Sequence, residues 1–220
     1  MTENFIPWKE CSPTDRGFEG YLQWLGLEEE DLMGKKILDI GSGLNQFAED
    51  IKNKNLNIDV ISLDLFYYLS QKERERLFKD RHSEETFPET KEKLDILAEH
   101  GREGKLIAGL AEELPFKDES FDMVFSLFAM PAYAESDEQV KKFVSEVQRV
   151  LKKGGSARIY PSDYGGNRGY EYKGKGGNLR QDFAENVKQA NIQEISEKEM
   201  PRVTVITKHG ETQDFAEGAK

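Results

Sequence analysis

Short apolar runs alternate along this chain with polar segments whose hydrophobic residues recur at spacings of three and four. Ile37-Leu38-Asp39-Ile40 is one such run. It breaks at Gly41-Ser42-Gly43 and resumes with helical spacing at Phe47, Ala48 and Ile51, which predicts strand, tight turn and helix. Upstream, Tyr21, Leu22, Trp24, Leu25 and Leu27 predict a helix over 20–32 that Gly34 ends. Downstream, the β-branched stretch 58–64 predicts a buried strand ending on Asp64. Residues 67–104 predict two charged helices, one over 69–79 and one starting near Pro88, with Leu94, Leu97 and Ala98 on one face. Strands follow over 105–109 and 121–127.

The segment from Ser136 is the best-defined helix. Ser136 and Gln139 fit a capping box, and Val140, Phe143, Val144, Val147, Val150 and Leu151 form its apolar stripe. Gly154 is the expected C-terminal stop. A strand over 156–161 leads into a glycine-rich stretch, 162–178, interleaved with Tyr164, Tyr170 and Tyr172, which reads as a lid or linker. A helix over 179–190, with Phe183, Val187 and Ala190 on a face, and strands over 192–196 and 203–207 close the pattern. Residues 1–17 are irregular, with Phe5, Trp8 and Phe18 covering a core edge or folding over a pocket. Residues 209–220 read as a flexible tail. Strand–helix alternation of this kind predicts a three-layer α/β sandwich around a mostly parallel sheet.

Composition narrows the partners. The chain has 220 residues and a net charge of −11 with no offsetting basic stripe, which speaks against nucleic acid as a partner. Cys11 is the single cysteine, so no intramolecular disulfide forms and a reducing, cytoplasmic setting is expected. No apolar run approaches the length of a membrane span. His82 and His100 lack metal-ligand spacing, and no metal is expected.

In open α/β sheets ligands sit beyond the carboxyl ends of the strands. Asp39 to Asn45, Asp64, Leu110 to Glu112 and Ser126 all fall at such ends. The turn suits an anionic group, because the following helix points free N–H groups at it. A dinucleotide fingerprint needs a third glycine where Gln46 stands, which argues against NAD. Asp64, at the tip of the second strand, is placed to accept hydrogen bonds from ribose hydroxyls.

The spacing Asp39-x-Gly41-x-Gly43-x-Asn45 resembles the first motif, E/D-x-G-x-G-x-G, of the class I S-adenosylmethionine (SAM) dependent methyltransferases. Asn45 stands at the third glycine, and Asn tolerates left-handed backbone angles. Gly109-Leu110-Ala111-Glu112-Glu113-Leu114-Pro115-Phe116 followed by Phe121-Asp122-Met123-Val124 resembles the family's G-D-A-E-x-L-P-F and F-D-x-V. Glu146-Val147-Gln148-Arg149-Val150-Leu151-Lys152-Lys153-Gly154-Gly155 is similar to its E-x-x-R-V-L-K-P-G-G, with Lys153 at the proline. The N-P-P-Y of methyltransferases that act on base or amide nitrogens is missing at 129–133.

This resemblance, to the type 11 small-molecule branch over about residues 35–161, implies a Rossmann-like fold. Its mostly parallel seven-stranded sheet would carry a C-terminal antiparallel hairpin. The implied organisation is an N-terminal cap over 1–34, a methyltransferase domain over 35–208 with a helical insertion at 67–104, and the tail. The implied cofactor is SAM, held by Asp39, Gly41, Ser42, Gly43, Asn45, Asp64, Leu65, Leu110, Ala111, Glu112 and Ser126. Asp39 would stabilise the turn or face the methionine ammonium, Gly41 and Gly43 would admit the methionine part, and Asp64 would bind ribose. The family's adenine-binding Asp is here Leu110, which leaves adenine to the Ala111 backbone, Glu112 or apolar packing. The acceptor would be a small molecule. Asp163, Tyr164 and Tyr133 are candidates for a general base by position. The rival readings are a non-catalytic SAM- or nucleoside-binding protein or complex subunit, and an enzyme of the same fold with other chemistry, such as aminopropyl transfer.

Overall fold

The computed structural model describes residues 16–79, 87–165, 173–179, 182, 190–195 and 203–209. Phe5, Trp8, Cys11, His82, Tyr170, Tyr172, Phe183, Val187 and the tail from 210 onward lie outside them. The strands of the main sheet are β1 (Lys36–Ile40), β2 (Asp59–Asp64), β3 (Leu106–Ala108), β4 (Phe121–Leu127), β5 (Leu151–Tyr160), β8 (Ala190–Ile195) and β9 (Val203–Lys208). β6 (Asp163–Tyr164) and β7 (Gly177–Asn178) form a separate short ribbon. The sheet order is β3-β2-β1-β4-β5-β9-β8. β1 to β5 run parallel to one another, and β9 is antiparallel to both β5 and β8, so six strands run one way.

Period-two alternation on the central strand builds the three layers. Ile37 joins a core with Phe18, Tyr21, Leu25, Phe47 and Phe125 on one face. Leu38 and Ile40 join Val140, Phe143, Val144 and Val147 on the other. Both faces of β1 are therefore covered, as parallel strands require. The first face is closed by α1 (Phe18–Leu25) and α3 (Gln46–Asn53), the second by α6 (Asp137–Val150). A third cluster, Phe66, Phe78, Leu94 and Leu97, ties α4 (Gln71–Lys79) and α5 (Phe87–Arg102) to Leu106 on edge strand β3 and to Leu44 in the glycine turn. The two charged helices read from 67–104 are present.

Several boundaries differ from the sequence expectation. The helix over 20–32 is two helices, α1 and a single turn α2 (Glu29–Leu32), because Gly26 adopts φ 59°. Its N–H and that of Leu27 both donate to the Leu22 carbonyl, closing α1 with a left-handed cap. Gly154 does not stop α6. That helix ends at Val150 and the chain passes directly into β5, with Gly154 inside the strand beside a register shift against Phe121 and Met123. The 156–161 strand thus begins five residues early, where Leu151 buries fully and so prefers the sheet. Ala190 belongs to β8, not to a helix over 179–190. The capping box closes on one side only. Ser136 Oγ accepts the Gln139 N–H, but the Gln139 side chain bonds Glu135 N–H (2.7 Å) and Glu112 (2.7 Å) instead of the Ser136 N–H.

Candidate functional site

Strand order reverses between β1 and β4, the position at which such sheets open a crevice. β1 ends there in Asp39-Ile40, and Gly41 turns the chain away at φ 76°. The Gly41 N–H donates to the Leu63 carbonyl (2.7 Å), which pins the turn to β2. A Cβ on Gly41 would fall on the Ala129 side chain, so the space that this glycine frees is filled by the segment after β4. Asn45 takes the left-handed conformation (φ 65°, ψ 23°) expected of it. It is 2 % exposed, and its Oδ1 accepts the Ser62 hydroxyl (2.5 Å) from β2.

Asp64 continues this bracing. Its carboxylate accepts the Gly43 N–H (2.9 Å) and the Phe66 N–H (2.8 Å), capping the 3-10 turn Leu65–Tyr68 and holding the glycine turn at the same time. Burial raises its pKa, while the two N–H donors and nearby Arg74 oppose the rise. Arg74 donates to the Tyr67 carbonyl (3.1 Å) and lies over the Phe66 ring. Ser42 Oγ and Tyr67 Oη are 2.8 Å apart in a hydrogen bond.

Asp39 is fully buried. The Tyr21 hydroxyl donates to it, shared between the two oxygens at 3.0 and 2.9 Å. Tyr21 reaches this point because α1 is fixed at both ends. Asp50 of α3 accepts the Phe18 N–H (2.8 Å), and Arg158 of β5 donates to the Leu25 and Gly26 carbonyls (2.9 and 2.8 Å). The Tyr21 ring stacks on Phe47 with centroids 4.2 Å apart. Burial pushes the Asp39 carboxyl up to about 7; the Tyr21 hydrogen bond pulls it down and the Asp64 charge adds to the rise.

On the β3 side, Leu110 is 36 % exposed and bridges Glu113, while Ala111 is buried in the α6-side core. Glu112 accepts from Gln139 Nε2 at the start of α6. Arg149 makes a bidentate pair with Glu146 (2.7 and 2.8 Å) and donates to the Leu114 (2.9 Å) and Phe116 (2.7 Å) carbonyls. Glu146 accepts the Leu114 N–H (2.7 Å). This clamp ties Leu114-Pro115-Phe116 to Glu146 and Arg149. On β4, Ser126 is buried and donates to the Met130 carbonyl (2.6 Å).

The structure thus joins Asp39 to Asn45, Asp64 and Leu65 in one region at the tips of β1 and β2. Ser126 lies beside Ile40 in register, and Ala108, two residues before Leu110, lies beside Asp64. Among the general-base candidates, Tyr164 donates to Asp182 (2.7 Å) and Asp163 accepts from Asn178 (2.7 Å), so both serve the β6–β7 ribbon; Tyr133 is 38 % exposed. Sequence reasoning did not single out Tyr21, Tyr67, Ser62, Arg74 or Gln139 as partners of the site. Tyr21 showed only as one apolar position among five, with nothing local to tie it to an acid 18 residues on. Among the described residues no group of three or more His, Cys, Asp or Glu could hold a metal ion, and no helix is long and apolar enough to cross a membrane.

Residues 38–159 match the family described as "Methyltransferase domain", and the chain belongs to that family. An uncharacterized protein of Methanocaldococcus jannaschii is 44 % identical over 55 residues, 25 % of each chain. The match therefore spans a quarter of that curated relative's length. Among solved structures, the PH0226 protein of Pyrococcus horikoshii is 16 % identical, covering 92 % of this chain and 96 % of that one with a TM-score of 0.49. Phosphoethanolamine N-methyltransferase 1 of Haemonchus contortus, solved with phosphoethanolamine and S-adenosylhomocysteine, is 23 % identical over 60 % of this chain and 23 % of that one, with a TM-score of 0.38.

Proposed function

We propose that the protein is a SAM-dependent methyltransferase acting on a small-molecule acceptor. One observation carries this reading: beside the glycine turn, at the crevice end of the central strand, a fully buried carboxylate meets only a neutral hydroxyl among the described residues. A buried charge without a counter-charge is costly. Asp39 therefore suits a ligand that brings a cation, as the ammonium and sulfonium of SAM would. Asp64 fits as well, since two N–H donors leave carboxylate lone pairs for ribose hydroxyls. Leu110 fits less closely, because it cannot accept from an adenine amino group; Ala111 and Glu112 would border the base.

SAM supplies an activated methyl group on a positive sulfur. The chain's own contribution is alignment. Asp39 and Asp64 orient the donor, and the braced turn keeps both acids in place, so that the acceptor's lone pair attacks the methyl carbon in line. With SAM bound, the carbon–sulfur electron pair would return to sulfur, and the acceptor would lose a proton if it carried one. Tyr133, exposed in the segment after β4, would border the acceptor.

Calorimetric titration with SAM, S-adenosylhomocysteine and NAD tests the pocket. Micromolar binding of the first two and none of NAD is expected, with Asp64→Ala weakening both. No binding at about 1 mM, weaker than about −4 kcal/mol, overturns the reading. A second reading, a methyltransferase-like protein that binds SAM without turnover, is favoured by Leu110 alone. Methyl transfer from labelled SAM to any member of a small-molecule acceptor panel excludes it.

A further inference from the structure

We propose that Tyr21 is a positioning residue: its hydroxyl holds the Asp39 carboxylate ready for a cationic group of the ligand, whose arrival at that carboxylate releases a proton. The proposal rests on the reading of the site as a SAM pocket.

The geometry is specific. One O–H is shared between two carboxylate oxygens, so both lean toward α1 while most of their accepting capacity stays unused. The hydroxyl cannot swing away easily, because its ring is stacked on Phe47 and lies 6.3 Å from Phe125. No ion pair reaches Asp39 from the described residues. Among the described residues, the titratable groups that face the pair are Asp64 at the β2 tip, Tyr67 in the 3-10 turn and Arg16 ahead of α1. Asp64 is a like charge and Tyr67 is neutral. Arg16, whose guanidinium lies over the Phe128 ring, acts on Tyr21.

A buried carboxylate in this setting is answered by a proton in the free protein and by a cation in the complex. Burial accordingly sets the Asp39 midpoint at about 7. A ligand ammonium that takes the proton's place lowers that midpoint, so binding tightens as pH rises toward it. Losing the Tyr21 hydroxyl removes the one donor among the described residues that favours the charged form, and the midpoint moves up.

Two measurements test this on the full chain. Carboxyl carbon-13 NMR follows the Asp39 titration in wild type and Tyr21→Phe without ligand; a higher midpoint in the variant is expected, and an unchanged one overturns the positioning role. Calorimetry from pH 6 to 8 then compares S-adenosylhomocysteine with 5′-methylthioadenosine, which keeps the nucleoside and thioether but lacks the ammonium. The first should gain up to about tenfold in affinity per pH unit below the Asp39 midpoint, releasing up to one proton, and the second should show no such slope. Parallel profiles overturn the proposal and leave the pocket reading intact. Failure of both to bind overturns the pocket reading and the proposal together. If Tyr21→Phe does not fold, the wild-type comparison of the two nucleosides decides alone.

Discussion

The two ends of the central sheet treat their acids in opposite ways. At the amino end, Asp122 at the start of β4 accepts the Lys36 N–H (2.9 Å) and the Lys152 ammonium (2.9 and 3.0 Å). There too Glu146 is locked to Arg149. Although burial works against them, Asp122 and Glu146 lie below the usual carboxylate range, held there by the Lys36 N–H and Lys152 in one case and chiefly by Arg149 in the other. At the carboxyl end, Asp39 and Asp64 are raised, because burial acts there without an adjacent cation bonded to either. The first pair fastens loops to strands. The second has, among the described residues, no cation bonded to either acid beside the turn, the condition in which an acid is available to something else.

The largest expected effect breaks the carboxyl end itself. Gly41→Ala places a methyl on Ala129 at a left-handed position. Overpacking and backbone strain together should cost about 4 kcal/mol, read as a shift in the urea midpoint at constant slope. Retention of wild-type stability would show that the turn floats free of the β4 segment.

Arg149→Ala breaks the amino end. It removes the guanidinium donors from the Leu114 and Phe116 carbonyls and from a half-buried Glu146, which keeps the Leu114 N–H, and about 3 kcal/mol of stability should go. Calorimetric melting measures it, and SAM affinity at a temperature where the variant stays folded should change little.

Asp39→Asn sharpens the contrast. A folded-state pKa raised from 3.8 to about 7 means that the native state holds a proton that the unfolded chain has released. The Asp39 contribution to stability therefore falls as pH rises from about 4 to about 7, the reverse of a paired acid. The amide variant should gain on wild type by up to about 1.4 kcal/mol per pH unit below the Asp39 midpoint and half that at it, or roughly 2.3 kcal/mol between pH 5 and 7. Chemical denaturation at the two pH values checks it; a constant difference would mean that Asp39 is charged throughout.

The smallest effect probes the seam between the two ends. Gln139→Ala removes the donor to Glu112 and the acceptor for the Glu135 N–H, and about 1 kcal/mol of stability is expected to go. If Glu112 borders the ligand, SAM affinity falls with it, whereas a purely structural Glu112 leaves affinity unchanged in the folded fraction.

What could be read along the chain was what short stretches decide. The strand–turn–helix at 37–51 follows from an apolar run, two glycines and an Asn able to take φ 65°. The parallel strands follow from continuous apolar runs, and the α6 face from spacings of three and four, because periodicity and turn chemistry act within a few residues. Even local signals failed where burial outbid them, as when Leu151 entered β5 and left Gly154 no helix to end.

The partners of the site were decided by the tertiary structure. Tyr21 meets Asp39 across 18 residues, Tyr67 meets Ser42 across 25, and Arg149 reaches the Leu114 carbonyl across 35. Each side chain is ordinary in its own helix or turn. Only the stacking of α1 on Phe47, the 3-10 turn capped by Asp64 and the packing of α6 on the sheet bring donor to acceptor, because a hydrogen bond depends on ångströms in space and residue order alone does not set them.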